Sequence, residues 1–120
     1  MSEIAVDFEH IRRYVGEDPD IMQEVFSLFK NQIDMWSRGL DPVADDEAWA
    51  AIMHSLKGSA RAIGAKRLAE LCEHGEGLIG ENNGAVRRKA HIDEVRGEID
   101  QALIEIGRWE YRQTLASMRS

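Results

Sequence analysis

Apolar residues in this chain recur three and four positions apart and nowhere alternate with polar ones, so the sequence specifies helices and no strands. Phe8, Ile11, Tyr14 and Val15 predict a short amphipathic helix from Asp7, its N-cap, to Val15, and Gly16 ends it. Asp18-Pro19 places a cap before a proline at the first helical position. It opens a second helix in which Met22, Val25, Phe26, Phe29, Ile33 and Trp36 repeat as far as Arg38. Gly39 through Ala44, with Pro42 inside, reads as a loop, and Asp45 caps a central helix that should stop near Gly64 in a left-handed turn.

The next helix begins at once, with Leu68, Leu71, Cys72, Gly75 and Ile79 as its stripe. Gly75, Gly77 and Gly80 each weaken it by up to about 1 kcal/mol relative to alanine, which predicts fraying in its second half. Asn82-Asn83-Gly84 is a turn. From Ala85 the pattern Ile92, Val95, Ile99, Leu103, Ile106 marks a long final helix, and the segment from Trp109 to Ser120 is compatible with helix or disorder. The expected fold is all-α: an up-and-down antiparallel four-helix bundle with a short extra N-terminal helix, in one domain over residues 1–120.

Composition narrows the function. A formal net charge of -7 argues against binding a phosphate backbone, so nucleic acid is not an expected partner. No apolar run approaches the roughly 20 residues of a membrane span. The single cysteine, Cys72, has no partner for an internal disulfide, and the acidic start MSEIAVDFEH does not resemble a secretory signal, so a cytoplasmic location is expected.

The charge is unevenly spread. Between Ala48 and Ala69 there is no Asp or Glu, where even spreading would put about four, and the same window holds Lys57, Arg61, Lys66 and Arg67. On an ideal helix Trp49, Ile52, Met53, Leu56, Ala60 and Ile63 form one apolar stripe. His54 points about 160° away from Leu56, on the side of Ala50, Ala51, Lys57, Gly58 and Arg61. An exposed neutral imidazole is a good nucleophile toward phosphorus. Lys57, one turn on, is within reach of a phosphoryl group on that ring. Gly58 costs the helix about 1 kcal/mol against alanine while facing away from the core, which makes sense if it clears space beside the ring for an in-line approach. His10, His74 and His91 read as ordinary surface histidines.

The stretch from His54 through Lys57-Gly58 and Gly64 to Leu68 resembles the signature of histidine phosphotransfer (HPt) domains, H-x-x-K-G with a second glycine six residues on and then a leucine. The resemblance implies a bacterial two-component phosphorelay protein. His54 would take a phosphoryl group from an aspartyl phosphate on one response-regulator receiver domain and give it to another, including receivers of hybrid histidine kinases. It also implies that Glu76 occupies the position from which a glutamine or glutamate hydrogen-bonds the histidine ring. Arg61, Lys66 and Arg67 would steer the acidic receiver pocket, and Ala50, Ala51 and Gly58 would form the dry centre of the contact. No cofactor of its own is expected. Mg²⁺ would sit on the receiver, because the chain has no glycine-rich phosphate loop and no acidic cluster suited to that ion, and no autonomous kinase activity is expected. A monomer is expected.

Two other readings stand beside this one. A helical docking module would bind and regulate a receiver or kinase without being phosphorylated. A helical metal protein is disfavoured, because His54, His74 and Glu76 have no recognisable ligand spacing.

Overall fold

A computed structural model describes residues 4–119. Five α-helices follow in order: α1 Phe8–Val15, α2 Pro19–Ser37, α3 Asp46–Ala62, α4 Lys66–Glu76 and α5 Ala85–Arg119, with a 3-10 turn at Gly80–Asn82 before the last. The helix starts lie where the capping residues placed them. Asp7 accepts from the His10 amide, Asp18 from Asp20 and Asp45 from Ala48, each satisfying a donor that the helix cannot pair internally.

α3 packs between α2 and α4, and α5 closes the bundle against α4 and α2. The ion pairs show the alternating direction. Lys57 and Arg61 on α3 meet Glu76 and Glu73 on α4 in reverse order. Glu110 near the end of α5 meets Lys30 on α2, while Arg96 near its start reaches the last residue of α2, Ser37. The interior is filled by the predicted stripes, among them Phe26, Phe29, Trp49, Met53, Leu56, Leu68, Val95 and Ile106. Each large side chain of this kind contributes roughly 1.5–3 kcal/mol by leaving water.

The N-terminal segment is fastened to the bundle. Ala5 and Val6 donate their amides to the Glu105 carboxylate on α5 at 2.8 and 3.0 Å, and the Asp7 amide donates to the Gly64 carbonyl at 3.0 Å. Gly64 has the expected left-handed conformation, φ 68°. It has a second reason to be glycine, since a Cβ there would stand 3.0 Å from the Asp7 carbonyl oxygen and Cβ.

The structure differs from the expectations above in several places, and Tyr14, placed in the apolar set of α1, is exposed. α4 runs through Gly75 and stops at Glu76, before Gly77; Gly75 is buried in close contact, since a Cβ there would fall 2.6 Å from the Met53 sulfur and 2.7 Å from His91 Nε2. Its carbonyl accepts from Trp49 Nε1 at 2.7 Å, so packing against α3 and α5 outweighs the glycine's poor propensity. Ile79 lies beyond the helix and is exposed. α5 continues as helix to Arg119, 35 residues and about 52 Å.

His91, expected at the surface, is buried. Burial holds its pKa below the ordinary 6.5, against the Leu71 carbonyl to which the ring donates and the Glu94 carboxylate, both of which favour the charged form; nearby His74 lowers it further. Protonation then favours the unfolded chain, so stability is complete above about pH 6.5 and falls as pH drops toward the folded-state value. The melting temperature should decrease between about pH 7.5 and 5.5, and the decrease should shrink in His91→Gln. An unchanged slope in that variant would assign the effect elsewhere.

Arg88, in register with the apolar stripe of α5, is buried as well. It is 1 % exposed, and its guanidinium lies 4.5 Å from the centroid of the Trp49 ring. Nε donates to the Leu78 carbonyl at 3.0 Å, Nη1 to Ala44 at 2.6 Å and Nη2 to Asp46 at 2.9 Å. Asp46 in turn accepts from the Gly80 amide at 2.8 Å and the Asn83 side chain at 3.2 Å. The Gly80 amide, then Asn83 and Arg88, hold the Asp46 carboxyl below its usual range against a smaller opposing effect of burial. One side chain of α5 thereby ties down the loop before α3 and the segment after α4.

Candidate functional site

His54 stands in the middle of α3 with its side chain 74 % exposed. One turn toward the N-terminus of the helix are Ala50 and Ala51, half-buried and exposed, and one turn on are Lys57 and Gly58. Gly58 is exposed, and a Cβ built on it would meet nothing within 4 Å. No intramolecular contact requires a glycine there, so the ring is bounded on that side by bare backbone.

Lys57 is turned from solvent. Its side chain is only 12 % exposed, and Nζ lies 2.5 Å from Glu76 Oε1 on the last residue of α4. The contact is an ion pair without hydrogen-bond alignment, and Oε1 is buried without a hydrogen-bond donor. His54 Nδ1 is 3.9 Å from the same oxygen, beyond hydrogen-bond reach. The ring–carboxylate hydrogen bond implied by the resemblance is therefore not made in this conformation. Glu76 instead holds the lysine. One turn earlier on α4, Cys72 is buried, and burial followed by the Glu76 charge pushes its thiol up to about 12, leaving it inert at neutral pH.

The basic residues are less concentrated than the acid-free window suggested, because α4 and α5 bring acids alongside them. Arg61 lies 3.7 Å from Glu73, at the edge of the His54 face. Arg67 points toward α5, where it pairs with Glu98 at 3.0 Å. Lys66, at the start of α4, lines a hollow of about 510 Å³ together with Asp7, His10 and Arg61. The three do not converge on His54. Among the described residues no group of three or more His, Cys, Asp or Glu is arranged to hold a metal ion.

The Hpt domain family model matches residues 3–105. The chain belongs to the Hpt family. A solved structure, the histidine phosphotransferase ShpA from Caulobacter crescentus, is similar over 95 % of this chain and 98 % of its own, with 32 % identity and a TM-score of 0.76. A comparison with curated proteins found no match. Hpt proteins work in two-component phosphorelays, where they interact with receiver domains of response regulators and with kinases, and phosphotransfer in such a system is the role of this chain.

Ile21, Leu28 and Met35 on α2 are exposed, Leu28 and Met35 by 57 % and 54 %. Seven-residue spacing drifts by only about 20° per step, so they form one row on the outside of the helix. The row borders an apolar hollow of about 220 Å³ lined by Tyr14, Val25, Leu28, Gln32, Ser59 and Ala62. On α3, Gly58, Ala51, Ala62 and Ser55 step round from His54 toward Ser59 at intervals of about 20° to 40°. Ser59 donates to Gln32 on α2 at 2.8 Å. The histidine face and the α2 row are thus one continuous surface with a floor of small residues. The signal was available: these three apolar residues fall outside the core stripe of α2.

Proposed function

We propose that His54 is the phosphoryl carrier of this Hpt domain. Nε2 attacks the phosphorus of an aspartyl phosphate on a receiver, the P–O bond to the receiver's carboxylate breaks, and the P–N bond forms with Nδ1 keeping its proton. The reverse displacement on a second receiver returns the ring. The observation that carries this reading is the exposed imidazole beside a glycine whose missing side chain leaves the approach open. The chain supplies nucleophile and docking surface. The receiver supplies the aspartate and Mg²⁺, which would neutralise the charge developing on the phosphoryl oxygens.

The receiver is taken to seat on the floor of Ala51, Gly58 and Ala62, with Leu28 and Met35 covered at one side and Arg61 at the rim. Small and apolar groups give the dry centre, and rim charges speed encounter more than they add affinity. The test is to incubate the chain with a phosphorylated receiver and map the label. Acid-labile, base-stable phosphate on His54 is expected. Label on another histidine would overturn the assignment, and tight receiver binding with no label would leave an unphosphorylated docking module.

Gly58→Leu separates stability from transfer. Leucine removes the glycine's helix cost, so the variant should be more stable by up to about 1 kcal/mol in thermal melts. The side chain then projects into the open space beside the ring and should slow transfer by on the order of 10²-fold, the scale on which small misplacements of reacting groups are felt. Undiminished transfer would remove the steric role of Gly58.

A further inference from the structure

We infer that Glu76 sets the lifetime of the phosphorylated state by keeping Lys57 away from the phosphoryl group. The inference rests on His54 being the carrier. Lys57 is the cation one turn from the ring, yet its ammonium is drawn to Glu76 at 2.5 Å while the imidazole stands out in solvent. To reach a phosphoryl group on Nε2 it has to leave a carboxylate oxygen that is buried and has no hydrogen-bond donor of its own. Removing one member of such a pair strands the other charge.

Glu76 is also the last residue of α4, where the helix dipole disfavours a negative charge, so losing the lysine is felt there twice. Phosphoryl group and carboxylate therefore compete for one cation. The carboxylate holds it at rest, and the phosphohistidine is left less neutralised than the sequence alone suggests. A less stabilised phosphohistidine is a readier donor and a poorer store.

The experiment uses the full chain, phosphorylated by a receiver that is then removed, and follows loss of the label: water attacks phosphorus, the P–N bond breaks, inorganic phosphate leaves, and the ring regains its lone pair. Glu76→Gln frees Lys57 and should lengthen the half-life by about fivefold, the scale of one partly exposed ion pair. Glu76→Asp, which keeps the charge, should decay nearly as fast as the wild type. In a Lys57→Ala background the same Glu76→Gln change should have no effect, a coupling that a merely structural role would not produce.

A half-life unchanged or shortened by Glu76→Gln would overturn the inference; shortening would mean that Glu76 supports the phosphorylated ring through Nδ1–H. Lengthening that persists without Lys57 would also overturn it. Wild-type label found away from His54 would instead defeat the reading beneath it, so the two failures are distinguishable.

Discussion

Glutamine in place of His54 should leave a chain that folds as well as the wild type and accepts no phosphoryl group. Removing a covalent nucleophile costs at least about 10³-fold, because what remains can bind and orient but has no atom to form the bond. The fold should not notice. The side chain is 74 % exposed, and the core of α3 is made by Trp49, Met53, Leu56 and Ala60 on its opposite side. The melting temperature should therefore stay within about 2 °C of the wild type, in keeping with the small effects of surface substitutions. Receiver binding should persist, since small and apolar neighbours make most of the proposed contact. The check is a transfer assay with radiolabelled receiver alongside a melt. Transfer at more than a few per cent of the wild-type rate, in a folded variant, would end the assignment.

Arg88→Met should be strongly destabilising for a change at a charged residue. Methionine keeps an apolar stem against Trp49 but deletes the guanidinium, leaving the Ala44 and Leu78 carbonyls without their donors and Asp46 without its cation. Leaving a buried carbonyl without its donor typically costs about 1–3 kcal/mol, and two lose theirs here, while the more exposed Asp46 keeps the Gly80 and Asn83 donors. For a chain of this size that lowers the melting temperature by on the order of 10 °C. The damage should concentrate at one end of the bundle, where the loop before α3 and the segment after α4 meet. Amide exchange should accelerate there first, and far less around Glu105, which fastens the N-terminal segment elsewhere on α5. A melt indistinguishable from wild type would show that the network is dispensable.

Arg88 also marks the limit of pattern reading. Of Arg87, Arg88 and Lys89 only Arg88 is in register with the Ile92–Val95 stripe of α5 and falls inside, but a guanidinium reads as solvated until its acceptors are known. Its destination is a set of carbonyls 10 and 44 residues away. His91 has the same history, with its partners on α3 and α4. Gly75 shows the converse: helix propensity, a local quantity, makes it a weak point, whereas its value lies in the close approach of Trp49, Met53 and His91. The basic window misled for a related reason. Ala48 to Ala69 is free of acids along the chain, but antiparallel packing places Glu73 and Glu76 opposite Arg61 and Lys57.

What the chain determined by itself was the set of helices, their capped starts, the exposed place of His54 and the bare backbone at Gly58. Each follows from the 100° advance per residue and from groups within one turn, so three or four neighbours suffice to decide it. The tertiary structure alone decided which groups Lys57, Arg88 and His91 meet, and how the α2 row joins the histidine face. Those are contacts between separate helices, set by the direction and rotation in which whole apolar faces are buried, and no short stretch of sequence encodes them.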